Sequence, residues 1–123
     1  MNTKIVADSR RFLSVALHGV YSATDRIEVL KQVAHACNAN GIWKIVVDHR
    51  DAEIMACTVD HYEFGKLLKK IGFSERPRIS VIINEQKKSN ELVKFSCLVA
   101  LNRGAMIETF NTEKEALGAL GID

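Results

Sequence analysis

Two stretches, Lys44-Ile45-Val46-Val47-Asp48 and Arg78-Ile79-Ser80-Val81-Ile82-Ile83-Asn84, decide the fold. Each has an apolar centre, Ile45 to Val47 in the first and Val81 to Ile83 in the second. Strands buried on both faces by helices read this way, so both are expected in the interior of a sheet. Between them, Thr58 is a plausible cap and Asp60 sits near the positive helix end. Tyr62, Phe64, Leu67, Leu68 and Ile71 then lie along a helix that closes at Gly72. Pro77 keeps the connection from continuing as helix. Parallel neighbours need such a crossover, whereas antiparallel ones need only a short turn.

Working outward from this pair, Lys4 to Ala7 and Phe12 to Leu17 read as a hairpin joined by the polar Asp8-Ser9-Arg10-Arg11. Leu13, Val15 and Leu17 share one face of its second strand, which Gly19 is expected to end. Ser22 or Thr24 caps the next helix, with Asp25 in its first turn. Ile27, Leu30, Val33, Ala34 and Cys37 recur at helical spacing until Asn40-Gly41. His49 to Cys57 reads as irregular, and Glu85 to Ser89 as a polar loop. Asn90 is expected to cap a helix with Leu92, Phe95, Val99 and Leu98 toward the core and Gly104 as terminator. Ala105 to Phe110 returns as a strand. Thr112-Glu113-Lys114-Glu115 is a capping-box pattern ahead of Ala116, Leu117 and Leu120. Right-handed crossovers through this order give an α/β fold with a largely parallel sheet covered by helices.

The chain has 123 residues, 17 Lys and Arg against 15 Asp and Glu, a net charge of +2, 47% apolar residues, one proline and three cysteines. This is the profile of one ordinary domain spanning residues 1–123, able to bury roughly two thirds of its unfolded surface without metal or disulfide staples. The charge is too small for a nucleic-acid footprint, and the longest apolar run, Cys97 to Leu101, is far too short to cross a bilayer. Neither a nucleic-acid partner nor membrane insertion is expected. Met1-Asn2-Thr3-Lys4 lacks a continuous apolar leader, and Cys37, Cys57 and Cys97 have no paired spacing, so the expected setting is a reducing cytoplasm.

The order of elements, with Asp48-His49-Arg50 after a buried strand, Asn102-Arg103-Gly104 between helix and strand, then Phe110 and a closing Glu115-Ala116-Leu117 helix, resembles the SpoIIAA-like family related to STAS domains. The likeness covers nearly the whole chain and rests on order more than on any one motif. It implies a mixed, mostly parallel four- to five-stranded sheet covered by about four helices, similar to anti-sigma-factor antagonists and comparable with lipid-binding Sec14-like domains. For this branch it implies no established activity. The phosphorylated antagonists carry a serine at the start of the helix after the central strand; here that place reads Ala56-Cys57-Thr58-Val59-Asp60. Thr58 could stand in chemically, with Asp60 opposing the added charge, although a plain cap accounts for it. Ala119 stands where the branch often carries tryptophan.

If the two deciding strands are parallel neighbours, their carboxyl ends bring the 49–57 and 85–90 loops to one rim, the usual place for ligands on an open sheet. That rim would hold Asp48, His49, Arg50, Thr58, Lys87, Lys88 and Asn90, able to attract an anion or an acidic partner segment. The bland account is a solvated edge on which Asp51, Glu53 and Glu85 cancel most of the positive charge. His49, Cys57 and His61 raise zinc, but no fourth ligand has matching spacing, and Cys57 reads more simply as a half-buried apolar residue beside two exposed histidines. Cys57 with His61 is also the one nucleophile-and-base pairing on offer. No nucleophile elbow, Walker loop or dinucleotide fingerprint is present. Arg103 is expected to hydrogen-bond the last carbonyls of its helix, Trp43 to pack at the core edge, and Gly65 to mark close contact with another helix or a ligand.

These readings favour a non-catalytic regulatory or protein-binding module with no cofactor and no metal. The alternative is a binder of a small apolar or lipid-like ligand, admitted between Tyr62, Phe64, Leu67 and the Phe95 helix. A homodimer through an exposed helical face or the first hairpin's edge stays open.

Overall fold

The computed structural model describes the whole chain, Met1–Asp123. Its elements follow in the order β1 (Asn2–Ala7), β2 (Leu13–Ser22), α1 (Ala23–Asn40), β3 (Lys44–Met55), α2 (Thr58–Leu67), β4 (Arg78–Ile82), α3 (Lys88–Asn102), β5 (Met106–Phe110) and α4 (Glu113–Ala119). A short 3-10 turn, Leu68–Lys70, extends α2. The five strands lie in sequential order in one sheet, β1 antiparallel to β2 and every later neighbour parallel. The architecture is thus the mixed, mostly parallel α/β sheet that the patterning implied.

Because the strand order advances one step at a time, right-handed crossovers put α1, α2 and α3 on the same face. The larger apolar cluster forms there, from Leu13, Val15 and Leu17 of β2, Ile45 of β3, Ile79 and Val81 of β4, and Leu30, Val33, Cys37, Val93 and Cys97 of the helices. Trp43 is half-buried against this cluster. On the opposite face α4 closes a smaller cluster of Phe12, Val46, Ile82, Ala116, Leu117, Leu120 and Ile122. The helix-start signals act as their chemistry requires. Ser22 accepts from the Asp25 amide while the Asp25 carboxylate accepts from the Ser22 amide. Thr112 accepts from the Glu115 amide. Gly41 ends α1 in the left-handed conformation, φ 62°.

Four expectations are corrected. The strand begun at Leu13 runs through Gly19 to Ser22, since β3 continues alongside and supplies partners for its backbone. Residues 49–55 are not irregular but extend β3, where Ala52 and Ile54 are buried between exposed Asp51, Glu53 and Met55. The core face of α3 is Asn90, Val93, Ser96, Cys97 and Ala100, with Leu98 exposed and Leu92, Phe95 and Val99 only half-buried. Finally, α2 gives way at Leu67 to the 3-10 turn before it reaches Gly72.

The small residues on α3 face a reason in α2. A methyl group added to Gly65 would lie 2.5 Å from the Ser96 carbonyl oxygen and 2.8 Å from Val99 Cβ, so glycine lets the two helices touch backbone to backbone. Alanine would be favoured here by helix propensity, by about 1 kcal/mol. Crowding reverses the sign, and Gly65→Ala is expected to destabilise the protein by about 1–3 kcal/mol in urea unfolding. An unchanged or raised midpoint would contradict this helix contact.

Candidate functional site

In β3 the pairing with β2 passes from Ala16–Asp48 to His18–Asp51, so Leu17 faces two residues, His49 and Arg50. This is a β-bulge, one extra residue that changes the phase of a strand. Ile45, Val47 and His49 point toward the three helices; after the bulge the inward positions become Ala52 and Ile54. Asp48 and Arg50 take the other face and the rim. His49 is thus the last inward residue before the change of phase, and the insertion leaves Arg50 partly exposed.

Arg50 grips Asp48 in a fork, Nε to Oδ1 at 3.0 Å and Nη2 to Oδ2 at 2.8 Å, and its amide donates to the same carboxylate at 3.0 Å. Burial raises the Asp48 carboxyl, but the hydrogen bonds from Arg50 outweigh it and the net shift is downward. Lys87 Nζ donates to the Arg50 carbonyl at 2.8 Å, tying the end of the β4 connection to β3. Arg50, Ile83, Asn84, Glu85, Gln86 and Asn111 line a cleft at this border. The rim acids are largely engaged: Asp48 with Arg50, Glu85 3.5 Å from Lys94, and Asp51 3.7 Å from His18.

Of the seven rim residues, the structure joins Asp48, Arg50 and Lys87 directly, with exposed Lys88 next in line. Asn90 is close in chain but lies inside α3 rather than capping it; buried, it accepts from the Asn84 amide at 3.0 Å and holds the loop's shape. His49 is in the interior, contrary to the expectation of an exposed ring. Thr58 is separated from the rim, because Arg50 to Met55 spans about 17 Å of extended strand before α2 begins.

Beneath the bulge lies a group not foreseen from the sequence. Arg26, on α1, is 6% exposed and occupies the inward stripe of Leu30, Val33, Ala34 and Cys37. Its guanidinium stacks 3.7 Å from the centre of the Phe64 ring, and donates from Nη1 to His61 Nδ1 at 3.1 Å and from Nη2 to Ser96 Oγ at 2.8 Å. No carboxylate forms an ion pair with it. Burial pulls Arg26 down to about 10, which still leaves it charged at neutral pH. The available signal was a lone arginine four residues before Leu30 on an apolar stripe.

This arrangement also redraws the chemistry around Cys57. The thiol is exposed and donates to Asp60 Oδ2 at 3.2 Å, whereas His61 is buried and engaged by Arg26, so the two do not form a nucleophile and base. No group of three or more His, Cys, Asp or Glu is placed to hold a metal ion. The Arg103 backbone amide donates to the Ala100 carbonyl at the end of its helix at 3.1 Å, while its guanidinium reaches away to the Tyr62 hydroxyl at 3.0 Å; the Gly104 carbonyl accepts from Arg76. No helix is long and apolar enough to cross a membrane.

The element order and the sequential sheet define a mixed, mostly parallel α/β domain. Comparison with solved structures makes this specific: the chain has the SpoIIAA-like fold. An anti-sigma factor antagonist from Mycobacterium paratuberculosis superposes with a TM-score of 0.64 at 18% identity, covering 98% of this chain and 93% of that one. An uncharacterized DUF3478-family protein with a SpoIIAA-like fold from Shewanella loihica gives 0.59 at 18% identity over 97% and 92%. SpoIIAA in its unphosphorylated form gives 0.55 at 11% identity over 98% of both chains. No family model matches the sequence, and no curated protein matches it.

Burial holds His49 down to about 3 and His61 to about 4, and the charge of Arg26 adds to the effect in both. In the unfolded chain both return to about 6.5, so below that pH the unfolded state takes up protons that the native state refuses. Stability is therefore expected to fall as pH drops from about 6.5 toward 4, by up to about 1.4 kcal/mol per pH unit for each histidine. Urea midpoints between pH 7.5 and 4.5 should decline less steeply in His49→Gln than in the natural protein. Parallel declines would show that His49 is not held neutral.

Proposed function

We propose that the chain is a non-catalytic regulatory module that binds another protein through the border formed by Asp48, Arg50, Lys87 and Lys88. The observation that carries this reading is the bond from Lys87 Nζ to the Arg50 carbonyl. It joins β3, just past the end of its pairing with β4, to the segment that follows the carboxyl end of β4, the edge where open sheets of this kind present their ligands. Arg50 is fixed by its fork on Asp48 yet remains 41% exposed, so its orientation costs little further entropy on binding. With Asp48 and Glu85 engaged and Lys88 exposed, the border suits a partner that presents carboxylates. The fold supports the same reading, since two of its structural neighbours are anti-sigma factor antagonists by name.

A photo-crosslinking residue placed at Gln86 tests the reading in native lysate, with one at exposed Lys4 as remote control. A discrete adduct is expected at Gln86 and absent at Lys4. It should drop at least tenfold when Arg50→Glu is added to a chain with an unchanged circular dichroism spectrum. Equal adducts at both positions, or an adduct indifferent to Arg50→Glu, would remove this border as the binding surface.

A further inference from the structure

Three polar atoms in the interior lack a hydrogen-bond partner: Arg26 Nε, His61 Nε2 and His49 Nδ1. All belong to one neighbourhood, and their residues are 0 to 6% exposed. The guanidinium has only donors, so His61 Nδ1 must accept from it, which puts the ring's proton on Nε2. At least two of the three unpartnered atoms are thus N–H donors, Arg26 Nε and His61 Nε2, clustered around a positive charge that no acid neutralises. Buried donors are almost always paired, and a buried charge is normally matched by an opposite one.

The surroundings say what kind of acceptor is missing. Arg26 and His49 line a mostly apolar cavity of about 60 Å³ between the sheet and the helices, walled by Val15, Val47, Val81 and Ala100 among others. One water needs about 10–15 Å³, so the cavity takes several heavy atoms, and its walls favour methylenes over water. On the other side of Arg26 and Phe64, a hollow of about 180 Å³ lies between α1, the end of β3 and α2, with Ile27, Ile54 and Leu67 in its lining. Exposed Asp60 and Glu63 also line it, and their charge opposes a dianion more than a monoanion. Tyr62 and Phe95, expected at such a site, line neither space; Phe64, Ser96 and Cys97 of the same two helices line the cavity.

We propose that the 60 Å³ cavity binds a small monocarboxylate with a short apolar chain, its carboxylate on Arg26 and its chain along the apolar wall. A guanidinium offers such a group a planar, paired set of donors, and Phe64 holds the plane. The site is separate from the rim and does not depend on the rim's partner.

Thermal melts with millimolar butyrate, hexanoate or octanoate, matched alcohols and inorganic phosphate test the assignment. Hexanoate is expected to raise the melting temperature of the natural protein by several degrees, hexanol and phosphate by less than one. Arg26→Met, which keeps the length and loses the charge, should show no response to hexanoate. Equal shifts with acid and alcohol would leave only an apolar cavity, and an equal shift with phosphate would leave only an anion site; either overturns the proposal, as does no response to any acid. Should Arg26→Met fail to fold, the acid-against-alcohol comparison on the natural protein decides alone. Ala100→Leu, which narrows the apolar end and keeps Arg26, should then move the preference from octanoate toward butyrate, and an unmoved preference counts against the assigned chain path.

Discussion

A single extra residue in β3 governs what the rest of this molecule can do. Side chains alternate along a strand, so an insertion opposite Leu17 reverses which positions face the helices from there on. Without it, Asp51, Glu53 and Met55 would occupy the inward positions, and two carboxylates would be driven into the larger apolar cluster. With it, Ala52 and Ile54 go inward and the charges go to water. His49, following Ile45 and Val47 inward, is the last residue before the change of phase, and Arg50 is left at the border beside it, so the interior polar group and the rim meet at one backbone feature.

The interior group is a trade between unlike terms. Removing a guanidinium from water costs several kcal/mol even after relaxation. Hydrogen bonds to a charged group return about 1.5–3 kcal/mol each, and stacking on a desolvated ring about 2 kcal/mol. Arg26 has two such bonds and one such ring, which brings the sum near balance without a counter-charge. What the arrangement secures is geometry, since its three partners come from α2 and α3 and the arginine from α1. The glycine contact at Gly65 works to the same end by bringing α2 onto the Ser96 backbone, beside the hydroxyl that Arg26 uses.

Much of this was legible in the sequence wherever one local force dominated. Caps at Ser22 and Thr112, the αL stop at Gly41 and the apolar centres of β3 and β4 each follow from short-range chemistry, and each is found where that chemistry puts it. The β3 extension was hidden because Asp48-His49-Arg50-Asp51 breaks the alternation where the bulge re-phases it, leaving charged residues that imitate a loop. The face of α3 was misjudged because apolarity was weighed above size. Close approach of α2 demands serine, cysteine and alanine inward, so Leu98 and Leu101 are left outside. At the rim, Asp48, Arg50 and Lys87 were recoverable from strand order alone. Thr58 is carried away from the rim and His49 is held inward because the strand continues past Asp48 to Met55.

The departures from local rules also converge. An arginine on an apolar stripe, a glycine inside a helix and an insertion in a central strand each cost stability when considered alone. They come from different parts of the chain, yet Arg26, Ser96 against Gly65, and His49 at the bulge all meet at one cavity. Departures of this kind gathered at one place are what make the cavity a candidate site, and a fold shared at 11 to 18% identity does not dictate which residues make them. The fold explains why β3 has a border and an underside. The residues explain why one is positively charged and engaged with its own acids, while the other holds a positive charge with none.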